Sequence, residues 1–119
     1  MDSFSVAGLN DHITPWDTVY RSTLLLGGER RFLLSNSGHI QSILNPPGNP
    51  KARYLENGKL SSDPRAWYFD AEQREGSWWP AWLDWIQARS GGQRKTLAAL
   101  GNQDHPPMEA APGTYVHLP

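Results

Sequence analysis

Six of the 119 residues are tryptophan, and five of the six fall between Trp67 and Trp85. Side chains of that size bury most of their surface in a core or an interface, so the second half of the chain has to be organised around aromatic packing. The densest run, WWPAWLDWIQARSGG, puts Trp78, Trp82, Trp85 and Ile86 on one side of a helix, with Trp79 and Leu83 widening the face. Pro80 comes early enough that its missing amide costs little, and Gly91 and Gly92 mark the end. A Trp-rich amphipathic helix is therefore predicted over residues 77–92. Stacking on sugars or bases is the competing use of such a cluster, but no basic groove accompanies it.

The first part of the chain reads as alternating strand and helix. DSFSVAGLND reads as a strand ending near Gly8 or Leu9, followed by a turn favoured by Asn and Asp. Thr14 is the expected N-cap of the next helix, with Pro15 at its first position and Asp17 near its positive end. Trp16, Val19, Tyr20, Thr23 and Leu24 follow a helical stripe, which Gly27 and Gly28 stop. RRFLLS is apolar at consecutive positions, as in a strand covered on both faces, and NSGH after it is a loop. Residues 1–45 thus predict a strand, helix and strand unit. Pro46, Pro47 and Pro50 make 46–76 an irregular connection with one short helix, PRAWYFDAEQRE, capped by Asp63 or Ser62 and ended by Gly76. RKTLAALGN adds a turn at most, and 93–119 reads as an extended tail. The fold class is α/β, with about two strands and crossover helices. That inventory leaves strand edges and apolar faces uncovered, so a piece of a larger fold is expected; a small domain that oligomerises through the Trp-rich surface is the alternative.

Charge and composition remove several function classes. Eleven basic and twelve acidic side chains give a net charge of -1 with no block of either sign, so no grip on nucleic acid is expected. Apolar runs such as TLLLGG are too short for a transmembrane segment, and MDSFSVAG does not resemble a secretion signal; a soluble, cytoplasmic protein is the expectation. There is no cysteine, and His12, His39, His105 and His117 have no recurring metal-ligand spacing. The paired glycines lack the flanking pattern of a phosphate or dinucleotide loop, so no cofactor is expected.

What remains is a recurring arrangement: a strand, then a polar loop carrying one side chain capable of acid–base chemistry. In a parallel sheet with helical crossovers the carboxyl ends of successive strands lie on one edge, so Asp11 and His39 can meet. An acid followed by a histidine is also the chain order of the last two members of an α/β-hydrolase triad. The carboxylate would hold one imidazole nitrogen and leave the other to move a proton. The structural alternatives are an Asx turn or cap at Asp11 and a strand-end cap at His39. His12, adjacent to Asp11, is better suited to shaping a pocket than to acting as the base, and Trp16 either lines a channel or packs its helix on the sheet. No serine of this chain sits in a G-x-S-x-G elbow and there is no cysteine, so a nucleophile has to come from elsewhere.

DHITPW, LSNSGHIQSILNPPGNPKARY, GSWWPAWLDW and EAAPGTYVH, in that order, closely resemble the carboxyl-terminal portion of polyhydroxyalkanoate synthases. The resemblance implies a C-terminal fragment of an α/β-hydrolase fold. It also implies an acyltransferase that polymerises (R)-3-hydroxyacyl groups from coenzyme A thioesters and releases coenzyme A. Carried over by motif, Asp11 and His39 would be the second and third members of a Cys-Asp-His triad whose cysteine precedes Met1. Asp11 would then orient His39 or help to activate the substrate 3-hydroxyl. HIQSILNPPGNP is closer to synthases that handle medium-length side chains. Homo-oligomers, strand pairing or exchange between copies, and association with polyester granules are further implications. Another thioesterase or esterase of the same fold, and a non-enzymatic Trp-rich interaction module, are the competing functions.

Overall fold

The computed structural model describes residues 1–118. SFSVAG forms β1 (Ser3–Gly8), WDTVYRSTL forms α1 (Trp16–Leu24) and RRFLLS forms β2 (Arg30–Ser35). β2 returns parallel to β1, with Ser3 opposite Arg30 and Gly8 opposite Ser35. This is the expected strand, helix and strand unit, and it brings the carboxyl ends of both strands to one edge.

The rest of the sheet differs from the expectation of about two strands. Four strands run in the order β1-β2-β3-β4, where β3 (Arg53–Glu56) and β4 (Glu72–Glu75) are each antiparallel to their predecessor. Both lie inside 46–76, where only a connection and a helix were expected. Their pairing is fastened by charge: Glu56 accepts from Arg31 on β2 and from Arg74 on β4, and Arg53 pairs with Glu75. Between them α2 (Pro64–Asp70) starts as predicted, with the Asp63 side chain accepting from the Arg65 amide. It stops six residues before Gly76, because Ala71 turns extended and the charged EQRE becomes β4.

Period-two alternation sorts the sheet faces. Ala7, Phe32 and Leu34 point toward α1 and α2 and form a core with Tyr20 and Trp67. Phe32 meets the Tyr20 and Trp67 rings edge-on at 5.0 Å from each centroid, and the Tyr20 hydroxyl donates to the Ser61 carbonyl at 2.7 Å. On the other face Phe4 packs against Trp78 and Trp85, and Arg31 lies over the Phe4 ring while donating to the Ala81 carbonyl. The Trp-rich helix α3 (Trp79–Gln87) is shorter than the predicted 77–92. Trp78 sits before it as N-cap and is buried, whereas Trp82 and Leu83 stay exposed. From 89 to 118 every residue but Gly113 is exposed, with one 3₁₀ turn at Tyr115–His117.

Candidate active site

Two loops leave the same sheet edge side by side, one after β1 and one after β2. Leu9 N–H donates to the Ser35 carbonyl, Asn10 N–H to Ser37 O, and the Asn10 side-chain amide to Asn36 O. Asn36 is itself anchored, donating to Lys51 O and accepting from Arg53 N–H. Asn10 and Asn36, read from the sequence as turn formers, therefore lace the loops together and to β3. Gly8 allows the close approach: a Cβ there would lie 2.7 Å from Ser37 O and 3.0 Å from the Ser42 side chain.

These loops bring Asp11 and His39 together, with Nδ1 of His39 2.8 Å from Oδ2 of Asp11. Oδ1 accepts the amides of Ile13 and Thr14 at 2.9 and 3.0 Å, and the Thr14 hydroxyl donates to Oδ2 at 3.2 Å. Asp11 thus makes the Asx turn with one oxygen and faces the histidine with the other. The expected Thr14 cap does not form. α1 begins one residue later with Pro15 as N-cap and no side-chain cap, because the Thr14 amide and hydroxyl are both committed to Asp11. The Thr14 amide, then the His39 bond, the Ile13 amide and the Thr14 hydroxyl hold the Asp11 carboxyl well below the usual carboxylate range, against an opposing effect of desolvation. Asp11 is thus ionised near neutrality and can only accept, so Nδ1 donates in this contact and, in the neutral form of the ring, the lone pair lies on Nε2. The Asp11 side chain is 7% exposed and the His39 side chain 47%. The imidazole is therefore held from behind and open in front.

Val6, Gly8, Asp11, Thr14, His39 and Ser42 are among the residues that line a concavity of about 230 Å³ here. A larger hollow of about 490 Å³ lies over Arg31, Glu56 and Arg74, but those charges are already paired with one another and it contains neither Asp11 nor His39. His12 is exposed and outside the Asp11–His39 concavity. Trp16 packs near Tyr20, Trp67 and Tyr68 and lines a separate groove with Leu9 and Phe69.

The segment that carries His39 is clamped from the other side of the sheet. The Trp78 indole donates to Ser42 O at 2.7 Å and the Trp79 indole to Ile43 O at 2.9 Å. The Ser77 hydroxyl donates to Asn45 O. Sequence reasoning assigned these tryptophans to packing alone and missed the clamp, for which the only signal was that a buried indole N–H needs an acceptor. It also missed Thr14 as a partner of the pair.

No protein-family model matches the chain. Among curated proteins, two poly(3-hydroxyalkanoate) polymerases of Ectopseudomonas oleovorans are 71% and 53% identical to it, each over 98% of this chain and 21% of the relative. A poly(3-hydroxyalkanoate) polymerase subunit of Cupriavidus necator is 42% identical over 89% of this chain and 18% of its own length. The chain thus spans about a fifth of the length of these curated relatives. Along nearly all of its residues the chain is thus homologous to poly(3-hydroxyalkanoate) polymerases.

Proposed function

We propose that this segment supplies the acid–base pair of a polyester synthase, which joins (R)-3-hydroxyacyl groups from coenzyme A thioesters into polyhydroxyalkanoate and releases coenzyme A. The observation that carries this reading is the 2.8 Å Asp11–His39 contact after adjacent parallel strands, in a chain homologous to poly(3-hydroxyalkanoate) polymerases. The wider framework is an α/β-hydrolase sheet continued on the free side of β1, where a cysteine from outside these 119 residues comes within reach of His39. Nε2 takes the thiol proton, and the thiolate attacks the thioester carbonyl; the C–S bond to coenzyme A breaks and an acyl-cysteine forms. His39 then passes its proton to the departing thiolate. In chain growth Nε2 accepts the 3-hydroxyl proton of a second acyl unit, whose oxygen attacks the enzyme-bound acyl carbon. An ester forms, the cysteine leaves as thiolate, and the proton returns to it.

The four donors around Asp11 favour the orienting role over direct activation of the substrate hydroxyl, because neither oxygen faces the concavity unencumbered. Exposed Ile40, Ile43, Leu44 and Trp82 support contacts with the remainder of the synthase, a second copy or the surface of a polyester granule. Among the described residues no helix is long and apolar enough to cross a membrane.

Product analysis tests the reading. A full-length synthase carrying this segment is expected to convert (R)-3-hydroxyacyl-CoA into polymer and free coenzyme A. Soluble hydroxy acid as the main product would assign it to a thioesterase instead.

A further inference from the structure

Thr14 closes a triangle with the acid–base pair: its hydroxyl oxygen lies 3.2 Å from Oδ2 of Asp11 and 3.3 Å from Nδ1 of His39, while Nδ1 and Oδ2 are 2.8 Å apart. One arrangement of hydrogens satisfies all three contacts. The hydroxyl gives its proton to Oδ2 and accepts from Nδ1–H, which it shares with Oδ2. If the hydroxyl donated to an unprotonated Nδ1, the nitrogen lone pair would face the carboxylate at 2.8 Å, a repulsive contact. Thr14 also lines the concavity beside His39, and its amide ties Oδ1.

We infer that Thr14 is a positioning residue for the reaction: its hydroxyl holds Oδ2 of Asp11 toward His39 and shares the Nδ1–H that the carboxylate selects, which leaves Nε2 as the base. The inference rests on the acid–base reading of Asp11 and His39. Removing the hydroxyl withdraws a donor from Oδ2, so more negative charge faces the imidazole while the ring loses its second acceptor.

The test uses the full-length synthase with Thr14→Val, which keeps shape and backbone amide, and Thr14→Ser, which keeps the hydroxyl. Coenzyme A release is followed across pH, with thermal unfolding as a check on folding. Thr14→Val is expected to lower kcat about tenfold with KM within about twofold, and to move the low-pH limb of the kcat/KM profile upward. Thr14→Ser should restore kcat to within about threefold. Wild-type kcat and pH profile in Thr14→Val would overturn the inference. So would a loss that Thr14→Ser does not recover, accompanied by a lower Tm and an unmoved limb, since that is the signature of a loosened turn. A wild-type rate in His39→Ala, measured alongside, would remove the acid–base reading and this inference with it; failure of the Thr14 variants alone leaves that reading standing.

Discussion

With Oδ1 on two backbone amides and Oδ2 on the imidazole, the Asp11 carboxylate holds the turn into α1 and orients His39 at the same time. Its depressed pKa has a pH signature. The charged form is favoured in the folded chain, so the stability it contributes is present above the unfolded aspartate pKa, about 4, and is lost as pH falls toward the folded value. The Tm difference between wild type and Asp11→Ala should therefore be largest above about pH 4 and shrink on acidification, as thermal melts across pH would show. An equal difference at pH 3 and pH 7 would contradict that origin. The meeting of Asp11 with His39 was legible in the sequence because two strands followed by polar loops fix one edge of a parallel sheet. Thr14 was not: a Thr before a Pro signals an N-cap equally well, and only the fold of the loop shows that the hydroxyl turns back to Asp11.

β1 and β2 announced themselves as short apolar stretches ended by turn residues and α1 through its apolar stripe, but β3 and β4 did not. RYLE and EQRE are four residues each, and Glu, Gln and Arg favour a helix as readily as any residue. They become strands through partners distant in sequence, chiefly Glu56 between Arg31 and Arg74, a tertiary cause that local patterns do not carry. The clamp from α3 is legible only in part, since aromatic density predicts burial but not which carbonyl an indole N–H will find. Trp78→Phe keeps most of the buried ring and leaves Ser42 O without its donor; chemical denaturation should show a loss of about 1–3 kcal/mol. The 38–45 segment should loosen with it and lower coenzyme A release in the full-length synthase. Gly8→Ala acts on the opposite side of that segment. Its Cβ would sit 2.7 Å from Ser37 O, so the backbone has to move, and a displacement of His39 by even 1 Å is expected to lower kcat by about 10²-fold. Unchanged kinetics in Gly8→Ala would mean that the loop absorbs the methyl without moving His39.

The radius of gyration is 18.9 Å, whereas a closed globule of this length has about 13–14 Å. The excess agrees with a segment whose last thirty or so residues lie exposed and whose strand β1 pairs on one side only among the described residues. β4, at the opposite edge, is defended by Glu72, Arg74 and Glu75, but SFSVAG on β1 carries no charge to discourage another strand. Under the proposed function β1 is therefore the edge on which the sheet continues, beside the concavity lined by His39. The pair and the edge together form, under the proposed function, one side of an active site. The decisive measurement is coenzyme A release from (R)-3-hydroxyacyl-CoA by the full-length synthase as wild type, Asp11→Ala, His39→Ala and the double variant. If Asp11 works through His39, His39→Ala lowers the rate by about 10²–10⁴-fold and adding Asp11→Ala lowers it little further. A wild-type rate in His39→Ala, or losses that multiply in the double variant, would contradict a joined acid–base pair.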